Sequence, residues 1–116
     1  MKINLNISER LASIGILNGF KGNLDKLAVI LEDIKKFGIT DEEWTTAERI
    51  ITKGKNKDGQ DEDVWNWSNE KGGEKEIDVK VETADYLKST IKEKNDKSEF
   101  GLTDQAFITL FTKLSQ

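Results

Sequence analysis

Two segments that lie far apart in the chain alternate apolar and polar residues, the pattern of a β-strand with one buried face. The alternating apolar residues are Ile3, Leu5 and Ile7 in the first segment and Ile77, Val79 and Val81 in the second. We therefore predict strands over residues 2–7 and 75–82. A sheet with one apolar face needs other elements packed against that face.

A third strand is predicted over 63–69, where Val64, Trp65 and Trp67 precede a pair of glycines. The glycines would turn the chain into the strand at 75–82 and so form a hairpin. The predicted fold class is α+β, with one small three-stranded sheet, antiparallel or mixed, packed with about five helices. The strand at 75–82 should be central or lie next to the strand at 2–7.

Five segments carry a helix-start residue followed by apolar residues at helical spacing. The start residues are Ser8, Asn23, Thr40, Thr83 and Thr103. Thr40 and Glu43 form the sequence of a capping box, and we predict a helix over 41–53 that ends before Gly54. The predicted order of elements is β-α-α-α-β-β-α-α.

The first and last parts of the chain share an apolar pattern. Ile3, Leu5 and Ile7 correspond to Ile77, Val79 and Val81, and the helical residues Leu27, Ile30, Leu31 and Ile34 correspond to Phe107, Leu110, Phe111 and Leu114. The sequence is therefore compatible with an internal duplication of a β-α-α unit.

The length and composition are those of one folded domain over residues 1–116. Apolar residues make up 35% of the chain and charged residues 34%, and the apolar ones are grouped in periodic segments, unlike those of a disordered chain. No apolar run is long enough to cross a bilayer, and the first residues alternate instead of forming a signal-peptide core. We expect a cytoplasmic protein without membrane contact; its oligomeric state is left open.

The chain contains neither cysteine nor histidine. Their absence excludes disulfides, thiolate nucleophiles, Cys-based metal sites and the commonest general base. Catalysis would have to use carboxylates, Lys, Tyr, Ser or Thr, and no spacing marks a convergent set. We predict no catalytic residue and no cofactor, and hence a protein that is not an enzyme.

The polar segment 55–63 has some features of a calcium-binding loop. If Gly59 took the turn position of such a loop, Gly54 and Trp65 would stand at its first and last ligand positions, so two ligands are missing. We predict a solvated loop and no metal site. Asp61 and Asp63 are the residues on which a metal-binding or carboxylate-based alternative would depend.

A Gly-x-x-Gly loop, Gly19-Phe20-Lys21-Gly22, lies between two predicted helices. KH domains use such a loop to clamp a nucleic-acid backbone, which makes Gly19, Lys21 and Gly22 a candidate nucleic-acid site. The formal net charge of −4 disfavours a polyanion, and a further helix follows where a KH domain has strands. Nucleic-acid binding is therefore the lesser alternative, and a tight turn between helices explains the same glycines.

Trp65 and Trp67 lie two residues apart and would share one face of the predicted hairpin. Tryptophan is enriched among the residues that dominate protein interfaces. With the neighbouring Asp61 and Asp63 they form the candidate partner-binding surface, and the competing interpretation is that both indoles belong to the core. Trp44, inside the predicted capping box, is expected in the core.

Three segments follow one another in a fixed order along the chain. They are an opening strand Met-Lys-Ile-Asn-Leu, a central segment Glu-Lys-Glu-Ile-Asp-Val-Lys-Val-Glu-Thr-Ala-Asp-Tyr-Leu-Lys and a closing segment Leu-Thr-Asp-Gln-Ala-Phe-Ile-Thr-Leu-Phe-Thr-Lys-Leu. We call this order of segments the layout of the chain. This layout resembles that of small uncharacterised proteins encoded by bacteriophages and prophages. The resemblance implies a non-enzymatic protein-interaction or assembly factor that binds phage or host proteins in the bacterial cytoplasm. It assigns no functional residue.

Overall fold

The computed structural model describes residues 1–116, which fold into two compact units. We call residues 1–38 and 74–116 the main unit and residues 39–73 the hairpin unit. The predicted α+β class is confirmed, with six α-helices and two separate two-stranded antiparallel sheets. The predicted three-stranded sheet over 2–7, 63–69 and 75–82 is wrong, since the middle strand pairs elsewhere.

In the main unit, β1 (Lys2–Leu5) pairs with β4 (Lys75–Asp78) in antiparallel register, with Ile3 opposite Ile77. Both strands are shorter than predicted. Asn6 and Lys80 are already the N-cap residues of the helices that follow, so Ile7 and Val81 are their first residues and not strand ends. Ser8 and Thr83 were predicted to be the N-cap residues of these helices, and that prediction is wrong.

Four helices complete the main unit, and their bounds are α1 Ile7–Leu17, α2 Leu24–Phe37, α5 Val81–Asp96 and α6 Ala106–Leu114. A short 3₁₀ helix, Leu102–Asp104, precedes α6, which therefore begins later than the predicted start at Thr103. Helix α1 contacts β1, α2, α5 and α6. The core contains the buried sheet residues and the inner faces of these helices.

The order β-α-α occurs twice in the main unit, as β1-α1-α2 and as β4-α5-α6. The repeat extends to the caps, because Asn6 and Lys80 stand at the same distance from the paired residues Ile3 and Ile77. This arrangement agrees with the repeated apolar pattern. Descent from an internal duplication stays a prediction.

The hairpin unit contains α3 (Asp41–Thr46), β2 (Ile50–Lys55), β3 (Asp61–Asn66) and α4 (Asn69–Gly72). The predicted helix over 41–53 is wrong beyond Thr46, although its capping box is present as predicted. Helix α3 ends because Glu48 takes a positive φ of 56°. The N–H of Arg49 then bonds to the carbonyl of Trp44, which closes a Schellman-type turn.

The chain after this turn enters β2, whose β-branched residues Ile50, Ile51 and Thr52 favour a strand. Residues 56–60 form the hairpin turn, so the predicted solvated loop over 55–63 is in fact a turn flanked by two strands. Gly59, with a φ of 77°, takes the left-handed position of this turn. Gly54 lies inside β2, where a Cβ atom would come within 2.7 Å of the Val64 side chain.

Candidate interaction surface on the β2–β3 hairpin

The hairpin has two chemically distinct faces. Opposite residues in its register are Ile51 and Trp65, Lys53 and Asp63, and Lys55 and Asp61, so these six side chains lie on one face. We call it the Trp65 face. The other face carries Ile50, Thr52, Gly54, Glu62, Val64 and Asn66. Every residue of β3 is exposed, and so are all residues of β2 except Gly54.

Trp44 of α3 covers the base of the Trp65 face. It is 8% exposed, and its ring meets Trp65 and Trp67 edge to face at centroid distances of 5.7 and 5.4 Å. Arg49 adds a cation–π contact, with its guanidinium carbon 4.8 Å from the Trp65 ring centre and 5.3 Å from that of Trp44. Trp65 is nevertheless 46% exposed, so this indole is fixed in place and still open to solvent.

The two candidate tryptophans differ in their surroundings. Trp67 follows the end of β3, is half-buried, and its indole N–H donates a 2.9 Å hydrogen bond to Asn69. The next residue, Ser68, donates its backbone N–H to the carbonyl of Ala47 at 2.8 Å, which ties the hairpin to the end of α3. Trp67 therefore belongs to the small core of this unit, whereas Trp65 lies at its surface.

Asp61 and Asp63 form cross-strand ion pairs on the Trp65 face. The Lys55 ammonium lies 2.8 Å from Asp61, and the Lys53 ammonium lies 2.6 Å from Asp63. Both pairs are exposed, so each contributes little to the stability of the fold. The structure contains no group of three or more acidic residues that could hold a metal ion.

The negative charge of the chain lies in the hairpin unit. Residues 39–73 contain nine acidic and five basic residues, whereas the main unit contains thirteen of each. The formal net charge of −4 therefore arises entirely from the hairpin unit. An excess of negative charge attracts cations and repels anions at long range.

The Gly19–Gly22 loop connects α1 to α2 in the main unit, as predicted for a helix-loop-helix segment. A Cβ atom on Gly22 would come within 2.7 Å of the Phe20 ring, which packs edge to face on Tyr86 at 4.9 Å. Gly22 therefore makes room for an aromatic contact. Lys21 is exposed beside it, so the residues of the nucleic-acid alternative are placed together but have a structural explanation.

Two buried charged side chains of the main unit form hydrogen bonds to backbone groups at helix ends. Arg10 donates to the carbonyls of Phe37 and Gly38 at the end of α2. Glu9 completes the capping box of α1 and accepts a 2.7 Å hydrogen bond from Lys113.

Burial lowers the pKa of Lys113, but hydrogen bonds to Glu74 and Glu9 outweigh it and raise that pKa above its ordinary value. A lysine held protonated in this way suits an ion pair better than a catalytic base.

No family model, curated protein or solved structure matches this chain. Its helices are all too short or too polar to cross a membrane.

Trp65, Trp67, Asp61 and Asp63 are predicted from the sequence as surface residues of the hairpin, whereas Arg49 and Ile51 are not. The signal for these two was present in the β-branched run that follows Arg49 and in Asp58-Gly59, a dipeptide typical of hairpin turns.

Proposed function

We propose that the protein is a non-enzymatic binding module that takes up an extended, basic segment of a partner protein along the edge of β3. The observation that carries this proposal is Trp65, an indole held by Trp44 and Arg49 yet 46% exposed on a strand whose residues are all exposed. Under the resemblance to phage-encoded proteins, the partner would be a phage or host protein in the bacterial cytoplasm.

The backbone of the hairpin favours strand addition. The sheet contains only β2 and β3, so each strand has an outer edge with no neighbouring strand. An exposed edge offers N–H and C=O groups to an incoming strand, which is the β-augmentation mode of peptide recognition.

The exposed apolar side chains favour the same mode. Ile51 and Trp65 lie on one face, while Ile50 and Val64 lie on the other, and all four are exposed. Side chains of an added strand alternate between the two faces. Apolar residues on both faces of one hairpin therefore suit an added strand better than a partner that covers a single face.

The negative charge of β3 favours a basic sequence in the bound partner segment. Asp61, Glu62 and Asp63 form the distal half of β3, and Val64 and Trp65 lie in its proximal half. We expect a bound segment with Lys or Arg beside the acidic half and apolar side chains beside the indole. Salt should weaken the complex, because part of the attraction is between exposed charges.

The test is a selection from a library of random peptides on the intact protein, followed by calorimetric titration of the selected peptides. We expect basic peptides whose affinity falls roughly tenfold or more in Trp65→Ser, since exposed aromatic anchors dominate such contacts. Glu62→Lys should also weaken binding. Asp96→Lys at the end of α5 makes the same change in net charge in the main unit and should leave affinity unchanged.

Three results would overturn the proposal. One is a selection that yields no basic peptide. Another is a set of peptides that bind Trp65→Ser as tightly as the wild type. The third is an equal loss of affinity in Glu62→Lys and Asp96→Lys, which would show that net charge, and not the β3 edge, determines the attraction.

A further inference from the structure

Arg49 is held at the base of the Trp65 face by aromatic rings alone. Its guanidinium carbon lies over the rings of Trp65 and Trp44, and its side chain is half-buried. It pairs with no carboxylate of the chain, and none of its side-chain N–H groups donates a hydrogen bond to another group. A guanidinium has five N–H donors, and contact with a ring face leaves them unused.

The other basic residues of the hairpin unit differ from Arg49. Lys53, Lys55 and Lys71 each pair with a carboxylate of the same unit. Lys57 has no ion-pair partner either, but it is exposed in the hairpin turn and no aromatic ring holds it. Arg49 is therefore the one basic residue of this unit that is both fixed in place and without a counter-charge.

The acidic residue next to Arg49 in the chain does not neutralise it. The carboxylate of Glu48 pairs with the Lys71 ammonium at 2.8 Å instead. The indoles of Trp44 and Trp65 also shield the guanidinium from part of the solvent, so an anion gains more from pairing with it than with an exposed lysine. A cation with unused donors thus lies directly beside the exposed Trp65 indole.

We propose that Arg49 binds a carboxylate at the apolar end of the partner segment, beside Trp65. This inference rests on the proposed function, because it concerns the same face of the hairpin. A carboxylate accepts two parallel N–H bonds from a guanidinium, which gives the contact direction as well as strength. An isolated anion is repelled by the net negative charge of the unit, so the carboxylate has to arrive on a segment that is otherwise basic.

The partner segment is therefore basic beside the acidic half of β3, apolar beside the indole and anionic at the end that meets Arg49. Its carboxylate belongs either to the C-terminus of the partner or to an aspartate or glutamate side chain. Both sources present the same pair of oxygen atoms, and the experiment separates them.

The test uses the basic peptides selected on the intact protein. Each is synthesised with a free C-terminal carboxylate, with a C-terminal amide, and with the acidic side chains near its apolar end replaced by their amides. Calorimetric titration should show that the wild type binds the carboxylate form roughly fivefold or more tightly than the matched amide form. The amide that lowers the affinity identifies the source of the carboxylate. The ratio of the two affinities should disappear in Arg49→Gln.

The ratio separates carboxylate binding from a structural role of Arg49. Arg49→Gln also removes the cation–π contact with Trp65, but that loss weakens both peptide forms alike. Lys57→Gln makes the same change in net charge within the same unit and should retain the full ratio. Arg49→Lys keeps the charge without the paired donors and should retain only part of it.

Peptides that lose affinity in Trp65→Ser but bind equally well in their carboxylate and amide forms would overturn the inference and leave the proposed function standing. A ratio that persists in Arg49→Gln, or that falls as much in Lys57→Gln, would also overturn it. A selection that yields no basic peptide would remove the proposed function and the inference together.

Discussion

The hydroxyl of Thr83 in α5 donates a 2.6 Å hydrogen bond to the buried carboxylate of Asp33 in α2. The same carboxylate oxygen accepts the backbone N–H of Lys80 at 3.0 Å. Lys80 is the N-cap residue of α5, and its own side chain makes no capping bond. Asp33 therefore caps α5 from another helix, in the way that the capping box of Asn6 and Glu9 closes α1 locally.

We predict that Asp33→Ala lowers the free energy of unfolding by about 2 kcal/mol or more, because it removes a cap and leaves the Lys80 N–H and the Thr83 hydroxyl without their acceptor. Chemical denaturation followed by circular dichroism measures this loss. Glu32→Gln, one residue earlier and exposed in an ion pair with Lys80, should cost less than about 1 kcal/mol. Similar losses in both variants would contradict the capping role.

The Asp33 cap should also make stability depend on pH. Burial raises the pKa of Asp33, but hydrogen bonds from Thr83, the Lys80 N–H and Lys36 outweigh it and hold that pKa below its ordinary value. The stabilisation is therefore complete above the unfolded-state pKa and is lost as pH falls through the lower folded-state value. Between neutrality and about pH 2, the wild type should lose more stability than Asp33→Asn does. Parallel pH profiles would contradict this assignment.

Ser98 offers a stabilising substitution. It has a φ of 56° just beyond α5, where the N–H of Glu99 bonds to the carbonyl of Lys94. Glycine takes this conformation without steric cost, so Ser98→Gly should raise the free energy of unfolding by about 1 kcal/mol. Ser98→Ala retains a Cβ atom and should give no such gain. The thermal midpoints of both variants check the difference.

The tryptophans of the hairpin unit should differ in their effect on stability. Trp44→Ala removes the buried ring on which two others pack and should cost about 3 kcal/mol or more, whereas Trp65→Ser should cost about 1 kcal/mol. Tryptophan fluorescence during denaturation reports on this unit alone, because Trp44, Trp65 and Trp67 all lie within it. Equal losses would place Trp65 in the core and remove it from the binding surface.

The parts of the fold that depend on local signals could be predicted from the sequence. Asn23 and Thr40 cap α2 and α3 as their positions indicated, and Trp44 is buried. The alternation at residues 3–5 and 77–79 identified buried strand faces correctly. In each case the side chain and its nearest neighbours along the chain determine the structure.

Strand partners could not be predicted in the same way. Alternation specifies which face of a strand is buried, but not which strand lies beside it. The strand containing Trp65 was paired with 75–82 because Gly72 and Gly73 suggested a turn, whereas Ser68 instead caps the short helix α4. Ile51 also fits a helical continuation of α3, and only the left-handed conformation of Glu48 redirects the chain into β2.

The candidate site was predicted only in part for the same reason. Trp65 and Trp67 were recognisable as large aromatics, but their different exposure depends on where β3 ends. Arg49 reaches the rings of Trp44 and Trp65 because the chain turns at Glu48. A glutamate at that position does not by itself predict a turn.

Amide and indole NMR spectra of the labelled protein, recorded during titration with a selected peptide, show directly whether the β3 edge binds a basic segment. We expect shifts confined to β2, β3 and the Trp65 indole N–H, with the Trp67 indole less affected because it is already bonded to Asn69. A matched titration with a single-stranded oligonucleotide should leave these signals unchanged. Peptide-induced shifts that centre on the loop from Gly19 to Gly22 or on α6, with β3 unaffected, would contradict the claim.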